Sequence, residues 1–372
     1  MSRYSRQTIL AEIGVEGQAI LEKARVLCVG VGGLGSPAAM YLAAAGLGTL
    51  GVIDGDVVDA TNLQRQVLFT EANIGQSKVQ AAAERLRAMN SALDLRVFDQ
   101  HLDASNALKI FADYDIVLDG TDNFAAKFLI NDACVKLGLP MVYGSISQFE
   151  GQVSVFWAER GPCYRCLHPA PPKSRIQNCA ESGVLGGIAG VIGSMMAMET
   201  IKVLLLKAGH VSRLNPLVGR LQIVDLATNE MMNLQVPKRA GCALCRGSRE
   251  QIVLQDLAPI SCQASASKPI RHDELCEALA GEAIKVLDVR ELQEWTHGHL
   301  AGSFHFALSR LESEELPQLA PETPLIVICQ AGVRSKRAEQ ILRNRGFQDV
   351  RNFPAGINGW TGELQAESLQ AP

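Results

Sequence analysis

The chain has 372 residues, more than one hydrophobic core usually serves, so two domains are expected, each large enough to bury its own core. With 47% hydrophobic and 20% charged residues it has a globular composition, unlike a disordered or collagenous chain. A formal charge of −4 and the lack of a long Lys/Arg run exclude the electrostatic footprint of a general nucleic-acid binder, and no nucleic-acid partner is expected.

Met1 to Leu10 carries Arg3, Tyr4 and Arg6 but no continuous apolar stretch, so it does not read as a secretory signal and a cytoplasmic location is expected. Arg25 to Gly30 reads as a strand, followed by a glycine cluster and a helix over Ser36 to Ala45 with Ser36 as N-cap and Pro37 near its first turn. A second strand, Thr49 to Ile53, ends at Asp54. A later one, Asp115 to Leu118, ends at Asp119 and the turn Thr121-Asp122-Asn123. This alternation predicts a parallel sheet covered by helices. From Pro140 strand pairs take over, with Gln152 to Trp157 and a hairpin of Leu221 to Asp225 with Glu230 to Val236. Between them Val184 to Met198, apolar, interrupted by glycines and short for a bilayer, is expected as a buried helix, and no membrane partner is expected. Residues 251–267 lose periodicity and suit a linker, which gives domains at 1–250 and 268–372. The second is a small α/β domain, with strands at Lys285 to Asp288 and Leu325 to Cys329 and helices at Asp273 to Ala280 and Lys336 to Arg345.

Gly30-Val31-Gly32-Gly33-Leu34-Gly35 fits G-x-G-x-x-G between strand and helix, where backbone N–H groups can face phosphate. An NAD dehydrogenase has the same loop, and Asp54, 19 residues after Gly35, lies where a ribose-binding carboxylate sits in either case. A Walker A sequence is absent. The residues that follow separate the two readings: Asn62-Leu63-Gln64-Arg65-Gln66 and Lys78 supply polar and cationic groups that a nicotinamide does not need and a triphosphate does. A nucleophile attacking the α-phosphate of ATP meets charge repulsion, which Arg65 and Lys78 can relieve while Asp122 holds Mg²⁺. Each of these residues alone reads as a solvated surface charge; in order behind the glycine loop they read as a site.

Ten cysteines in a large chain without an export signal point to metal and catalytic thiols. Cys163-Tyr164-Arg165-Cys166 and Cys242-Ala243-Leu244-Cys245 form two CxxC knuckles whose four thiolates suit tetrahedral Zn²⁺ better than a redox pair or unrelated core cysteines. Four protein ligands leave no open position, so the role is structural, with His168 a bystander. Cys28, Cys134 and Cys276 read as core residues, and Cys262 falls in the linker without a role.

Cys329-Gln330-Ala331-Gly332-Val333-Arg334-Ser335 follows a strand and opens a helix, so backbone N–H groups can converge on the sulfur. The helix end and Arg334 would favour the thiolate, the form that accepts sulfur as a persulfide. A phosphatase loop has five residues between Cys and Arg, whereas this one has four.

The glycine loop, Asp54, the Asn-Leu-x-Arg-Gln run, Lys78 and Thr121-Asp122-Asn123 together resemble the adenylation domain of the ubiquitin-activating superfamily, and within it the bacterial molybdopterin-synthase adenylyltransferases. The similarity runs from Arg3-Tyr4-Ser5-Arg6-Gln7 to Cys245. Residues 268–364, through Asp288-Val289-Arg290, His299-Leu300-Ala301-Gly302, the Cys329 loop and Ala355-Gly356 to Trp360, resemble a rhodanese domain; Ala355 stands where that family commonly has a glycine. Asp288 and Arg290 are expected to be structural, and His297 and His299 to pack or hydrogen-bond rather than bind metal.

The implied fold is a Rossmann-like adenylation domain with a zinc-bearing strand-rich portion, plus a small α/β rhodanese domain. The implied nucleotide set is Gly30, Gly32, Gly33, Gly35, Asp54, Thr61, Asn62, Leu63, Gln64, Arg65, Gln66, Lys78, Asp122 and Asn123. Resemblance further implies a homodimer in which Arg6 reaches the nucleotide of the other subunit, and a covalent bond between Cys179 and the activated carrier. The implied activity is ATP-dependent adenylation of the C-terminal glycine of a ubiquitin-like sulfur-carrier protein, then sulfur transfer from a Cys329 persulfide loaded by a donor such as a cysteine desulfurase. Molybdopterin synthesis is the favoured pathway, with thiamine, cysteine and tRNA thiolation as alternatives. About 20 residues between Glu250 and Ile270 would reach at most ~65 Å, enough for the second domain to approach the first.

Overall fold

The computed structural model describes residues 3–171, 183–257, 270, 272–281, 283–313, 315–362 and 364–365. The chain divides into two compact units, 1–261 and 262–372, each with its own sheet. The first holds β1 (Arg25–Val29), β2 (Thr49–Ile53), β3 (Asp94–Phe98), β4 (Ile116–Asp119), β5 (Met141–Ser147), β6 (Glu150–Phe156), β7 (Arg220–Asp225) and β8 (Glu230–Gln235). They lie in the order β3-β2-β1-β4-β5-β6-β7-β8, parallel through β5 and antiparallel from β5 to β8. The strand-rich portion thus extends the parallel core edge to edge.

The near-continuous apolar character of β1 and β4 follows from coverage on both faces. Val26, Cys28, Ile116 and Leu118 enter one core, while Leu27, Val29 and Val117 enter the other. On the first side lie α1 (Gly35–Ala44), α2 (Lys78–Met89) and α4 (Gly186–Lys207); on the second lies α3 (Phe124–Leu137). By length and composition α4 could cross a membrane, yet Ile188, Ile192, Met196 and Val203 are fully buried in the first core, as expected of an internal helix. It runs on past Glu199 because that carboxylate is satisfied internally, accepting from Leu217 N at 2.7 Å and from Lys202 Nζ at 2.6 Å.

One expected detail is corrected. Ser36 does not cap α1: the helix starts at Gly35, and the buried Ser36 hydroxyl donates to Val31 O at 2.8 Å. The close crossing of loop and helix causes this, since a Cβ on Gly35 would stand 1.9 Å from Gly30 O. Gly30 itself has φ +81°, a left-handed conformation suited to glycine.

The second unit has a parallel sheet of β9 (Lys285–Asp288), β10 (Ser303–His305), β11 (Leu325–Ile328) and β12 (Val350–Asn352), in the order β10-β9-β11-β12. Helices α5 (His272–Ala280) and α6 (Val333–Asn344) belong to it, α6 starting three residues before the expected Lys336. Of the expected linker, 258–267 lies outside the described residues, while 252–256 is anchored to the first unit. Ile252 is buried, its carbonyl accepts from Lys136 Nζ at 2.6 Å, and Asp256 accepts from Ala104 N at 2.8 Å.

Candidate functional sites

In the first unit the chain leaves β1 toward β2 on one side and returns to β4 on the other, so the carboxyl ends of β1 and β4 open a crevice where the strand order reverses. A cleft of about 410 Å³ occupies it. It is lined by Gly30, Gly32, Gly33 and Leu34 of the glycine loop, by Asp54 and Asp56 after β2, by Arg65, Gln66 and Lys78, and by Thr121, Asp122 and Asn123 after β4, whereas Gly35, expected among the nucleotide contacts, packs against Gly30 O outside the lining. Gly32 and Gly33 leave their loop open: a Cβ there would meet nothing nearer than 3.6 Å. No side chain caps the start of α1, which leaves its first N–H groups free of side-chain acceptors.

Asp54 accepts from Val31 N and Asp56 N, both at 3.0 Å. Burial pushes its carboxyl above the ordinary value, against the charge of Lys78 and those two backbone donors. Lys78 lies buried at the start of α2, with Nζ 2.8 Å from Asp56 Oδ2. Arg65 is half-buried, its guanidinium donating to Thr61 O at 3.0 Å. Gln66 is buried with Oε1 lacking any hydrogen-bond partner among the described residues. Asp122 is exposed, and among the described residues nothing bonds its carboxylate, so its oxygens are free for a cation.

Other expected contacts are placed elsewhere. Thr61 and Asn62 lie in the single turn Ala60–Asn62, where both bond back to Asp59; Leu63 packs on the core and Gln64 is exposed. None of the four lines the cleft; their turn carries Arg65 and Gln66 into it. Asn123 lines it, but its side chain caps α3 by accepting from Ala126 N at 2.8 Å. Arg6 is exposed and outside the cleft, on a segment tied down by Gln7 Nε2 donating to Ala45 O and by Tyr4 Oη accepting from Asn90 Nδ2. Cys179 and Cys262 lie outside the described residues. Sequence reasoning missed Asp56, His101, Lys127 and Tyr143 as lining residues. Asp56 alone carried a local signal, two residues past Asp54 at the end of β2.

The two CxxC pairs meet. The Cys163, Cys166, Cys242 and Cys245 sulfurs lie within 4.8 Å of one another, at 3.9 Å for 163–166, 3.7 Å for 163–242 and 3.5 Å for 166–245. These separations exceed a disulfide bond and match the ~3.8 Å edge of a tetrahedron with sulfurs about 2.3 Å from its centre, so the donor set fits Zn²⁺. Burial and the neighbouring thiolates push the Cys163 thiol up, a repulsion that a cation would relieve. His168 stands aside, packed on the Tyr164 ring at 4.8 Å. Cys28 and Cys134 are buried core thiols as expected, whereas Cys276 is half-buried and bonds His272 Nδ1 at 3.5 Å.

In the second unit Cys329 follows β11 directly and α6 begins at Val333 behind Gly332, whose φ of +80° turns the loop. A Cβ on Gly332 would come 2.0 Å from Pro354 O. Burial raises the Cys329 thiol, but the Ser335 hydroxyl, 3.2 Å from Sγ, and the N–H groups of Ser335, Ala331 and Gly332 bring it below the ordinary value. Arg334, expected to favour the thiolate, is paired with Glu294 through contacts of 2.6 and 2.7 Å while its guanidinium also feels the Cys329 charge, and the carboxyl of Glu294 falls to about 2. Ser335 is the side chain that hydrogen-bonds the sulfur. Asp288 and Arg290 form a buried pair at 2.7 Å, and His299 stacks on Trp295 at 3.8 Å, both structural as expected. Ala355 is tolerated because it is exposed, while Gly356 takes φ +59° against Cys329 O.

A nucleotide cleft at the switch of a parallel sheet, joined to a domain that cradles a thiolate, defines an enzyme coupling nucleotide chemistry to sulfur chemistry. The ThiF family matches residues 4–244 and the rhodanese-like domain matches residues 271–363. Two relatives align over nearly the whole chain. The "Adenylyltransferase and sulfurtransferase MOCS3" of Anopheles gambiae is 39% identical over 97% of this chain and 86% of its own. The "Probable adenylyltransferase/sulfurtransferase MoeZ" of Mycobacterium tuberculosis is 39% identical over 99% and 95%. A crystal structure of E. coli MccB with ATP shares the fold, with a TM-score of 0.58 at 22% identity over 66% of this chain and 75% of that one. The chain belongs to the ThiF family and carries a C-terminal rhodanese-like domain, an adenylyltransferase and sulfurtransferase in one polypeptide.

Proposed function

We propose that the chain adenylates the C-terminal glycine carboxylate of a ubiquitin-like sulfur-carrier protein and converts it to a thiocarboxylate for molybdopterin synthesis. The observation that carries this reading is the convergence of Arg65, Lys78 and Asp122, whose carboxylate has no partner among the described residues, on one cleft with the glycine loop. The carrier carboxylate attacks the α-phosphorus of ATP, the bond to pyrophosphate breaks, and a mixed anhydride forms in which AMP replaces a poor leaving group. Arg65 and Lys78 screen the phosphate charge as the attack develops, and Asp54 receives the ribose. Asp122 would hold Mg²⁺, which when bound neutralises phosphate charge. The terminal sulfur of a Cys329 persulfide then attacks the acyl carbon, AMP leaves, and an acyl disulfide remains. Attack of the Cys179 thiolate on the Cys329 sulfur releases the thiocarboxylate and leaves a Cys179–Cys329 disulfide, which a cellular dithiol reduces.

The four clustered cysteines would bind zinc in a structural role, and a cysteine desulfurase would load Cys329. A cytoplasmic homodimer completes the reading. Its support is Arg6, exposed and fixed outside its own cleft, where it is free to serve a partner's. The test is carrier-dependent exchange of labelled pyrophosphate into ATP. Asp122→Ala should lower the exchange by at least ~100-fold, as loss of a principal electrostatic group does, while Cys329 still accepts sulfur. Exchange at the wild-type rate with saturating magnesium would refute the role of Asp122.

A further inference from the structure

Beneath the cleft lies an ion pair that the chemistry above does not use. Asp119 ends β4 with no exposure and Lys127 lies one turn into α3 with 4%; Lys127 Nζ donates to Asp119 Oδ2 at 2.9 Å and to Gly144 O at 2.8 Å. The ammonium also sits 4.9 Å from the centre of the Tyr143 ring. The other oxygen of Asp119 accepts from Thr121 N at 3.0 Å and from Thr121 Oγ1 at 2.6 Å. Lys127 thus ties β5 to β4, and through Asp119 it fixes the turn whose next residue is Asp122. Lys127, Thr121 and Asp122 all line the same cleft.

Burying two charges costs about as much desolvation as their attraction returns, so such a pair adds little net stability, and an apolar pair of similar volume would serve the fold equally well. What an apolar pair would not do is accept the two hydrogen bonds from Thr121 that fix the turn before Asp122. We propose that Lys127 is a positioning residue for the nucleotide–magnesium site: through Asp119 and Thr121 it holds Asp122 where the cation binds. This rests on the reading of Asp122 as the Mg²⁺ carboxylate.

The test measures binding of AMPCPP, an ATP analogue not cleaved between its α- and β-phosphates, to the full chain as Mg²⁺ is titrated, in wild type, Lys127→Met, Lys127→Arg and the double variant Asp119→Leu/Lys127→Met. The double variant removes both charges and so avoids leaving one buried alone. Wild type should bind more tightly as Mg²⁺ rises, and Lys127→Arg should retain at least a third of that enhancement. Lys127→Met and the double variant should need about tenfold more Mg²⁺ for the same affinity, while magnesium-free binding changes less than threefold, because the glycine loop and Asp54 are untouched. A folded double variant with the wild-type magnesium dependence would overturn the proposal. So would an equal loss of binding with and without magnesium, the mark of a merely structural pair. If wild type itself shows no magnesium dependence, the role of Asp122 fails instead.

Discussion

Cys329 shows how little of a reactive residue's chemistry resides in the residue. Burial alone would raise its thiol; the Ser335 hydroxyl and the turn's N–H groups reverse the sign, so the thiolate persists below the pH at which an ordinary cysteine ionises. Ser335→Ala removes the closest side-chain donor. Alkylation of Cys329 by iodoacetamide, followed by mass spectrometry of its peptide across pH, should shift to higher pH and slow severalfold at neutrality. An unchanged profile would mean that the backbone N–H groups suffice. Arg334 is different: its charge is shared with Glu294, whose carboxyl at about 2 keeps the pair intact above the ordinary glutamate range and lets it fail only as pH falls toward that value. Sequence placed both residues in the loop but gave Ser335 no role and missed Glu294, because Glu294 reaches the loop from another helix.

At the scale of elements, the parallel strands that sequence found are those buried on both faces, whereas the exposed β8 was legible only as the second arm of its hairpin with β7. β1, β2, β4, β9 and β11 are short apolar runs because helices cover them. β3 escaped because Asp94 and Arg96 are exposed on an edge strand, and β10 and β12 because three residues are too few to show a period. The motif-bearing site residues were legible for the same local reason: glycine loop, CxxC and Cys329 loop are each contiguous. Lys78–Asp56 and Lys127–Asp119 were not, since their partners depend on which strand lies beside which helix. The cysteine cluster joins two knuckles 79 residues apart in the chain, at Cys163 and Cys242 and at Cys166 and Cys245. Protein purified without chelator should carry about one zinc per chain by elemental analysis. Cys242→Ser should lose the metal and lower the thermal midpoint of the first unit while Cys329 still accepts sulfur. A zinc-free wild type of unchanged stability would contradict this.

For the whole molecule the two chemistries sit in separate units, the acyl adenylate forming in the first and the sulfur held in the second. Anchoring of 252–256 on the first unit leaves residues 258–269 as the stretch outside the described structure, with a reach of at most ~40 Å if extended. The central claim is that the same chain that activates the carrier also supplies its sulfur. The measurement is mass spectrometry of the carrier after incubation with ATP and a protein persulfide donor, comparing wild type, Cys179→Ala and Cys329→Ala. Cys329→Ala should abolish the thiocarboxylate while pyrophosphate exchange continues at the wild-type rate. Cys179→Ala should instead accumulate the acyl disulfide on Cys329. Thiocarboxylate formed by Cys329→Ala at the wild-type rate would show that the rhodanese domain is not the sulfur source.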